Sequence, residues 1–181
     1  MKKVGLYVGR FQPFHMGHIE AIKHALSKVD ELIIVIGSAQ YSFTLNNPFT
    51  AGERMTMIRK GLEEAKIESS KYQIVPVADI NIHALWVAHI KSLTPKFDIA
   101  FSNEPLTSRL FKESEINVES IPFFKRNVYS STEIRKRMIS NEDWESLIPK
   151  SVGKYIREID GIERIIELVR TDNPSIKKNE F

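Results

Sequence analysis

Two histidines three residues apart, His15 and His18, end the segment Gly9-Arg10-Phe11-Gln12-Pro13-Phe14-His15-Met16-Gly17-His18. At the start of a helix that spacing puts both imidazoles on one face, where they can donate hydrogen bonds to a single phosphoryl group. The rest of the segment suits the same ligand. Gly9 lets the backbone turn sharply as it leaves a strand. Gly17 lets a ligand approach the backbone where the helix begins, and free N–H groups together with the helix dipole favour an anion there. Arg10 adds a permanent charge with forked donors. The segment is not a P-loop, because the Gly-Lys-Ser/Thr ending is missing, and it is not the dinucleotide glycine fingerprint. A lone histidine at a helix start is ordinarily a surface or capping residue. A pair directly after a glycine-ended strand is far harder to read that way.

A second segment, Tyr129-Ser130-Ser131-Thr132-Glu133-Ile134-Arg135-Lys136-Arg137, could act on the same ligand. Ser130 and Glu133 have the capping-box spacing, so an ordinary helix cap competes with a functional reading. The hydroxyls of Ser130, Ser131 and Thr132, with the Arg135 guanidinium at a helix N-terminus, suit the terminal phosphates of a triphosphate.

The elements that must hold these groups follow from periodicity. Val4 to Val8 reads as a short buried strand, and Ile19, Ile22, Leu26 and Val29 recur at helical spacing from near His18. Leu32 to Ile36 is an unbroken apolar run of the kind found in parallel sheets. These pieces make a βαβ unit, expected to be right-handed. Residues 38–49 read as a polar loop, and Thr50 with Glu53 as a capping box. A helix bearing Met55, Ile58 and Leu62 follows. A third strand spans Tyr72 to Val77, a helix His83 to Leu93, a fourth strand Asp98 to Ser102, a short helix Leu106 to Phe111, and a weaker fifth strand Val118 to Ile121. Beyond Ser130 the pattern is helical: to about Ile139, again near Trp144, and from Val152 to Arg170 with a break at Asp160-Gly161. The alternation predicts an α/β fold, a Rossmann-like doubly wound parallel sheet with a helical C-terminal part. Residues 1–170 read as a single domain and 171–181 as a flexible tail. Ligands of such sheets bind beyond the carboxyl ends of the strands, which points to the loops after strands one, three, four and five.

Composition narrows the chemistry. The chain of 181 residues has no cysteine, which excludes disulfides, thiolate metal sites and cysteine nucleophiles. The opening Met1-Lys2-Lys3-Val4 lacks the pattern of a signal peptide, and no run is apolar for long enough to cross a bilayer. A net charge of +3 fits anionic small molecules, and no basic stripe interleaved with aromatics points to nucleic acid.

The first segment resembles the signature of the nucleotidyltransferase superfamily that uses His-x-Gly-His, and its opening resembles the archaeal-type nicotinamide mononucleotide adenylyltransferases in particular. The likeness continues through Gly37 to Gln40, Asn47 to Arg54, Ala84 to Val87, and the second segment, which is similar to a Ser-x-Thr-x-Ile/Val-Arg signature. It covers the chain to about residue 165. The resemblance implies transfer of AMP from ATP to nicotinamide mononucleotide, giving NAD and pyrophosphate. It implies catalytic contacts from His15, His18, Arg10 and Arg135. Ser130, Thr132 and Arg135 would hold the β- and γ-phosphates, with Gly9, Phe11, Gly17, Ser131 and backbone groups around Ser102 and Asn103 completing the ATP site. Trp86 would stack on the nicotinamide ring, although a helical Trp there is as readily core. Asp79 would accept from the carboxamide or a ribose hydroxyl, although it could be a turn residue. Gln12, His83 and Asn46 would complete the nicotinamide nucleotide site.

The same likeness implies Mg²⁺ carried on ATP, with no metal cage in the protein. It also implies a homo-oligomer, with a hexamer among the options, in the cytoplasm, and neither nucleic acid nor membrane as partner. The sequence departs from the family at three places. Ser131 stands where many relatives have Gly, and His83 where Asn is common. Asn46 stands where relatives often carry an Arg that reaches phosphate, with Lys125 and Arg126 as candidate substitutes. Arg54 reads as a partner of Glu53 or an exposed charge before it reads as functional. Rival readings are the same chemistry on FMN, phosphopantetheine or nicotinate mononucleotide, a cytidylyltransferase, and a non-catalytic nucleotide binder.

Overall fold

The structure, a computed structural model, describes residues 2–122 and 129–172. Lys125, Arg126 and the stretch of the expected tail beyond Asp172 lie outside the described residues.

Five strands form one parallel sheet: β1 (Val4–Gly9), β2 (Glu31–Ile36), β3 (Tyr72–Pro76), β4 (Ile99–Phe101) and β5 (Asn117–Glu119), in the order β3-β2-β1-β4-β5. β2 shows why the sheet needs cover on both faces. Its residues Leu32 to Ile36 are all fully buried. Strand alternation sends Leu32, Ile34 and Ile36 into one apolar cluster and Ile33 and Val35 into the other. The first cluster is completed by α1 (Met16–Leu26), α2 (Ala51–Glu64), α5 (Ser131–Ile139), α6 (Lys150–Glu158) and α7 (Gly161–Asp172). The second is completed by α3 (His83–Leu93) and α4 (Pro105–Glu113). Strand order reverses between β1 and β4, so a crevice opens beyond their carboxyl ends.

Several boundaries differ from the sequence reading for identifiable reasons. α1 begins at Met16 rather than near His18, because His15 takes the extended conformation of an N-cap. α4 begins at Pro105, a proline in the first turn being tolerated, and the Glu104 carboxylate caps it by accepting from the Thr107 N–H. The helix expected near Trp144 is only the single turn Glu145–Leu147. The break at Asp160-Gly161 is real, and a Cβ at Gly161 would lie 2.9 Å from the Phe49 ring. α7 runs on to Asp172, two residues into the expected tail.

The two expected capping boxes part ways. Thr50 Oγ1 accepts from the Glu53 N–H at 3.2 Å, and the Thr50 N–H donates to the Glu53 carboxylate at 2.8 Å, so that box is complete. Ser130 Oγ accepts from the Glu133 N–H at 3.1 Å, but the Glu133 carboxylate turns to Arg137 at 3.0 Å, so that box is half made. Glu53 does not pair with Arg54. Its carboxylate takes both terminal nitrogens of Arg164, at 2.7 and 2.8 Å, which fastens α7 to the start of α2.

Candidate active site

The loop between β1 and α1 is shaped by aromatic packing. Phe11, not Gly9, takes the left-handed backbone conformation, at φ 53°. Gly9 is needed for a different reason than a sharp turn. A Cβ there would stand 2.7 Å from the Phe11 ring, which folds back under the loop and is buried. Gly17 is equally crowded, since a Cβ would lie 2.9 Å from Cβ of Tyr129 and 3.1 Å from the His15 ring.

The two histidines stack. Their ring centroids lie 3.6 Å apart with planes 20° from parallel, and the Phe11 and Phe14 rings lie against His18 at 4.7 and 5.4 Å. The His15 N–H donates to Nδ1 of His18 at 3.2 Å. Nδ1 of His18 is therefore an acceptor, and the neutral ring carries its proton on Nε2. Nδ1 of His15 is buried without a hydrogen-bond partner among the described residues. Burial pushes the His15 pKa down to about 3. Burial, and then the proximity of His15, holds His18 well below the ordinary range. Both rings are neutral at pH 7 and offer N–H groups rather than charge.

The second segment meets the first. Arg135, in the second turn of α5, is buried and donates from a terminal nitrogen to the Gln12 carbonyl at 2.7 Å. Burial and then the nearby Arg10 guanidinium lower its pKa. Ser131 Oγ donates to the Pro13 carbonyl at 3.1 Å, which fastens the two segments, and Ser131 also lines the first cavity described below. Gln12 joins a neighbouring loop. Its side chain is committed to Phe49, donating to the carbonyl and accepting from the N–H at 2.9 Å each, because it is buried where that loop crosses. Gln12 lines the first cavity and not the one with Trp86.

Two cavities lie beyond the carboxyl ends of β1 and β4. The first, of about 380 Å³, is walled by the stacked histidines, Phe11, Gln12, Gly17, Asn103, the Ser130 to Thr132 stretch and Arg135. The second, of about 610 Å³, is walled by Gly9, Asp79, His83, Trp86, and Gly37, Ser38 and Tyr41 from the loop after β2. They share Val8, Arg10, Ser102 and Glu104. Arg10 is exposed at this junction.

Other expected residues fall as follows. Gly9 lies on the second cavity rather than with the ATP-side groups, because it ends β1 on that side. Asn46 lies on the first cavity, not with Trp86, because the loop pinned at Phe49 by Gln12 brings it over the signature segment. The Asn103 amide is spent on Ile121, donating at 2.6 Å and accepting at 2.9 Å, which leaves its backbone to face a ligand. The Ser102 N–H donates to the Glu119 carbonyl at 3.2 Å. The Asp79 carboxylate accepts from the Ser38 hydroxyl at 2.6 Å and N–H at 3.2 Å while still lining the second cavity. Trp86 is half-buried, edge-on to Phe111 at 5.4 Å, and lines the same cavity. Among the described residues no group of three or more His, Cys, Asp or Glu could hold a metal. Also among them, no helix is long and apolar enough to cross a membrane.

Reasoning from sequence missed Ser38, Tyr41, Glu104 and Tyr129 as wall residues. Gly37-Ser38 directly after a buried strand was a usable signal, since that is where parallel sheets place ligands.

Residues 6–137 match the cytidylyltransferase-like family. A nicotinamide-nucleotide adenylyltransferase of Thermococcus kodakarensis is 48% identical over 178 residues, covering 98% of this chain and 94% of that protein. One of Pyrococcus horikoshii is 50% identical over 174 residues, 96% and 93% of the two chains. One of Saccharolobus solfataricus is 49% identical over 168 residues, 93% and 98%. Among solved structures, a bifunctional NMN adenylyltransferase/ADP ribose pyrophosphatase from Francisella tularensis superposes with TM-score 0.80 at 24% identity. That match covers 98% of this chain and 55% of the other, so the chain spans about half the length of the bifunctional protein. The chain belongs to the nicotinamide-nucleotide adenylyltransferases, nucleotidyltransferase enzymes within the cytidylyltransferase-like family.

Proposed function

We propose that this protein transfers the adenylyl group of ATP to nicotinamide mononucleotide, forming NAD and releasing pyrophosphate. The observation that carries this reading is the pair of cavities meeting at Arg10, one walled by phosphate-type donors and the other by an aromatic ring and a carboxylate. ATP takes the first cavity. Its β- and γ-phosphates lie at the N-terminus of α5 against Ser130, Thr132 and Arg135, and its adenosine lies toward the backbone of Ser102 and Asn103. Nicotinamide mononucleotide takes the second, with its ring on Trp86 and its polar groups toward Asp79 and His83.

The 5′-phosphate oxygen of the mononucleotide attacks the α-phosphorus. A new P–O bond forms, the bond from the α-phosphorus to the α,β-bridging oxygen breaks, and pyrophosphate leaves with that electron pair. The nucleophile is already anionic, so no general base is required. Catalysis is positioning plus stabilisation of developing charge. His18 donates from Nε2 to the α-phosphate or the departing bridge oxygen, and His15 supports it. Arg10 and Arg135 offset phosphate charge. Bound polyphosphate raises the pKa of both imidazoles, since nearby negative charge favours the protonated ring.

Mg²⁺, held by triphosphate oxygens and water, would supply charge neutralisation. A homo-oligomer in the cytoplasm completes the proposal. The reading is tested by measuring pyrophosphate release and NAD formation with ATP, Mg²⁺ and nicotinamide mononucleotide, beside CTP and beside FMN or phosphopantetheine as acceptors. NAD formation from ATP is expected. Turnover only with CTP or another acceptor would overturn the reading.

A further inference from the structure

Arg54 lies on α2, outside the walls of both cavities, and is fully buried. A buried charge is costly unless its donors are satisfied, and a contacting carboxylate is the usual solution. Arg54 is satisfied by carbonyl oxygens instead. Its Nε donates to Thr50 at 3.2 Å, one terminal nitrogen to Arg10 at 3.1 Å and Gly37 at 2.9 Å, and the other to Ser38 at 3.2 Å and Tyr41 at 3.4 Å. Burial lowers its pKa to about 10, with Asp79 and Glu53 acting through space in the opposite sense, so the group stays charged at neutral pH.

The origin of those carbonyls matters. Thr50 caps the helix that carries Arg54. The others belong to two loops that the sheet alone does not fix: Arg10 after β1, and Gly37, Ser38 and Tyr41 after β2. Gly37, Ser38 and Tyr41 line the second cavity only, and Arg10 lines both. A trans peptide points its N–H opposite to its C=O, so anchoring the Arg10 carbonyl also fixes the direction of the Phe11 N–H. The fork of a guanidinium can hold several acceptors at once, whereas an ammonium is a point charge with three donors.

We infer that Arg54 is a positioning residue: it holds the loop walls of the acceptor-side cavity, and the Arg10 backbone at the junction, so that the acceptor's phosphate lines up with the triphosphate. This rests on the adenylyltransferase reading above and extends it to a residue that touches neither substrate. None of the hydrogen bonds of Arg54 reaches the histidines or the start of α5, and Gly37, Ser38 and Tyr41, whose carbonyls it holds, line the second cavity only. Loss of Arg54 should therefore act unequally on the two substrates.

The test uses the full-length chain with Arg54→Lys and Arg54→Gln, checked for folding by circular dichroism and assayed with ATP, Mg²⁺ and nicotinamide mononucleotide. A folded variant should show KM for the mononucleotide raised roughly 10- to 100-fold and kcat lowered, with KM for ATP changed by less than about threefold, because misplacement rather than lost contact is the defect. Calorimetric titration with each substrate alone should show the same asymmetry, and it decides the role of Arg54 even if the wild type binds both substrates without turning over. That last result would defeat the functional reading and not this one. Equal effects on both substrates, or none, would overturn the inference. Failure of both variants to fold would also overturn it, since Arg54 would then serve stability alone.

Discussion

The Arg135 guanidinium donates to the Gln12 carbonyl at 2.7 Å, joining two segments 123 residues apart in the chain. Gln12 turns its side chain the other way and holds both backbone groups of Phe49. One residue thus ties the signature loop to the start of α5 and to the loop leading into α2.

Gln12→Ala leaves the Phe49 N–H and C=O without partners in a buried place. Each such loss costs ~1–3 kcal/mol, so stability should fall by about 2–6 kcal/mol in a denaturant titration. A variant of unchanged stability with a raised KM for nicotinamide mononucleotide would instead make Gln12 a ligand contact.

The fold was largely legible because the β2 run and the helical stripes report burial directly. The histidine pair and the α5 start stood out by residue type and spacing, and the structure brings them to the wall of one cavity. What stayed hidden was the use of polar side chains on backbone. Gln12, Asn103, Ser131 and Arg54 all spend themselves on carbonyl or N–H groups distant in sequence. No local pattern encodes such pairings, since they depend on which loops cross. Glu53 likewise skipped its neighbour for Arg164, 111 residues away. Asn46 lies on the first cavity for the same reason, its loop being held at Phe49.

Acid should destabilise the protein through the stacked histidines. Their folded pKa values are depressed by burial below the ordinary 6.5, to about 3 for His15. The unfolded chain therefore binds more protons in that window. Stability is complete above about pH 6.5 and falls as pH drops, by at most about 1.4 kcal/mol per pH unit for each ring. Replacing both with Asn should flatten the dependence of urea midpoint on pH between about 6 and 4. An unchanged slope would mean that the rings are not buried neutral in solution.

Among the described residues lining the second cavity, Asp79 and Glu104 are acidic and Arg10 is basic. A nicotinate carboxylate placed there meets like charge, whereas a carboxamide can donate to Asp79. kcat/KM for nicotinamide mononucleotide should exceed that for nicotinate mononucleotide by about tenfold or more, one mismatched polar contact being worth at least that. Asp79→Asn should narrow the gap. Equal use of both substrates by the wild type would exclude Asp79 from the discrimination.

His18→Ala should fold and bind ATP, with kcat lowered roughly 10²–10³-fold, the usual loss for one donor to a transition-state oxyanion. Near-normal kcat in steady-state assays would remove His18 from the chemistry.

The convergence of His15, His18 and Arg135 on one triphosphate is tested most directly by a crystal structure of the protein with a non-hydrolysable ATP analogue and Mg²⁺. The α-phosphate should lie within hydrogen-bond distance of His18 Nε2, with the β- and γ-phosphates at the N-terminus of α5 beside Arg135. A nucleotide seated in the second cavity, or with its phosphates out of reach of all three side chains, would contradict it.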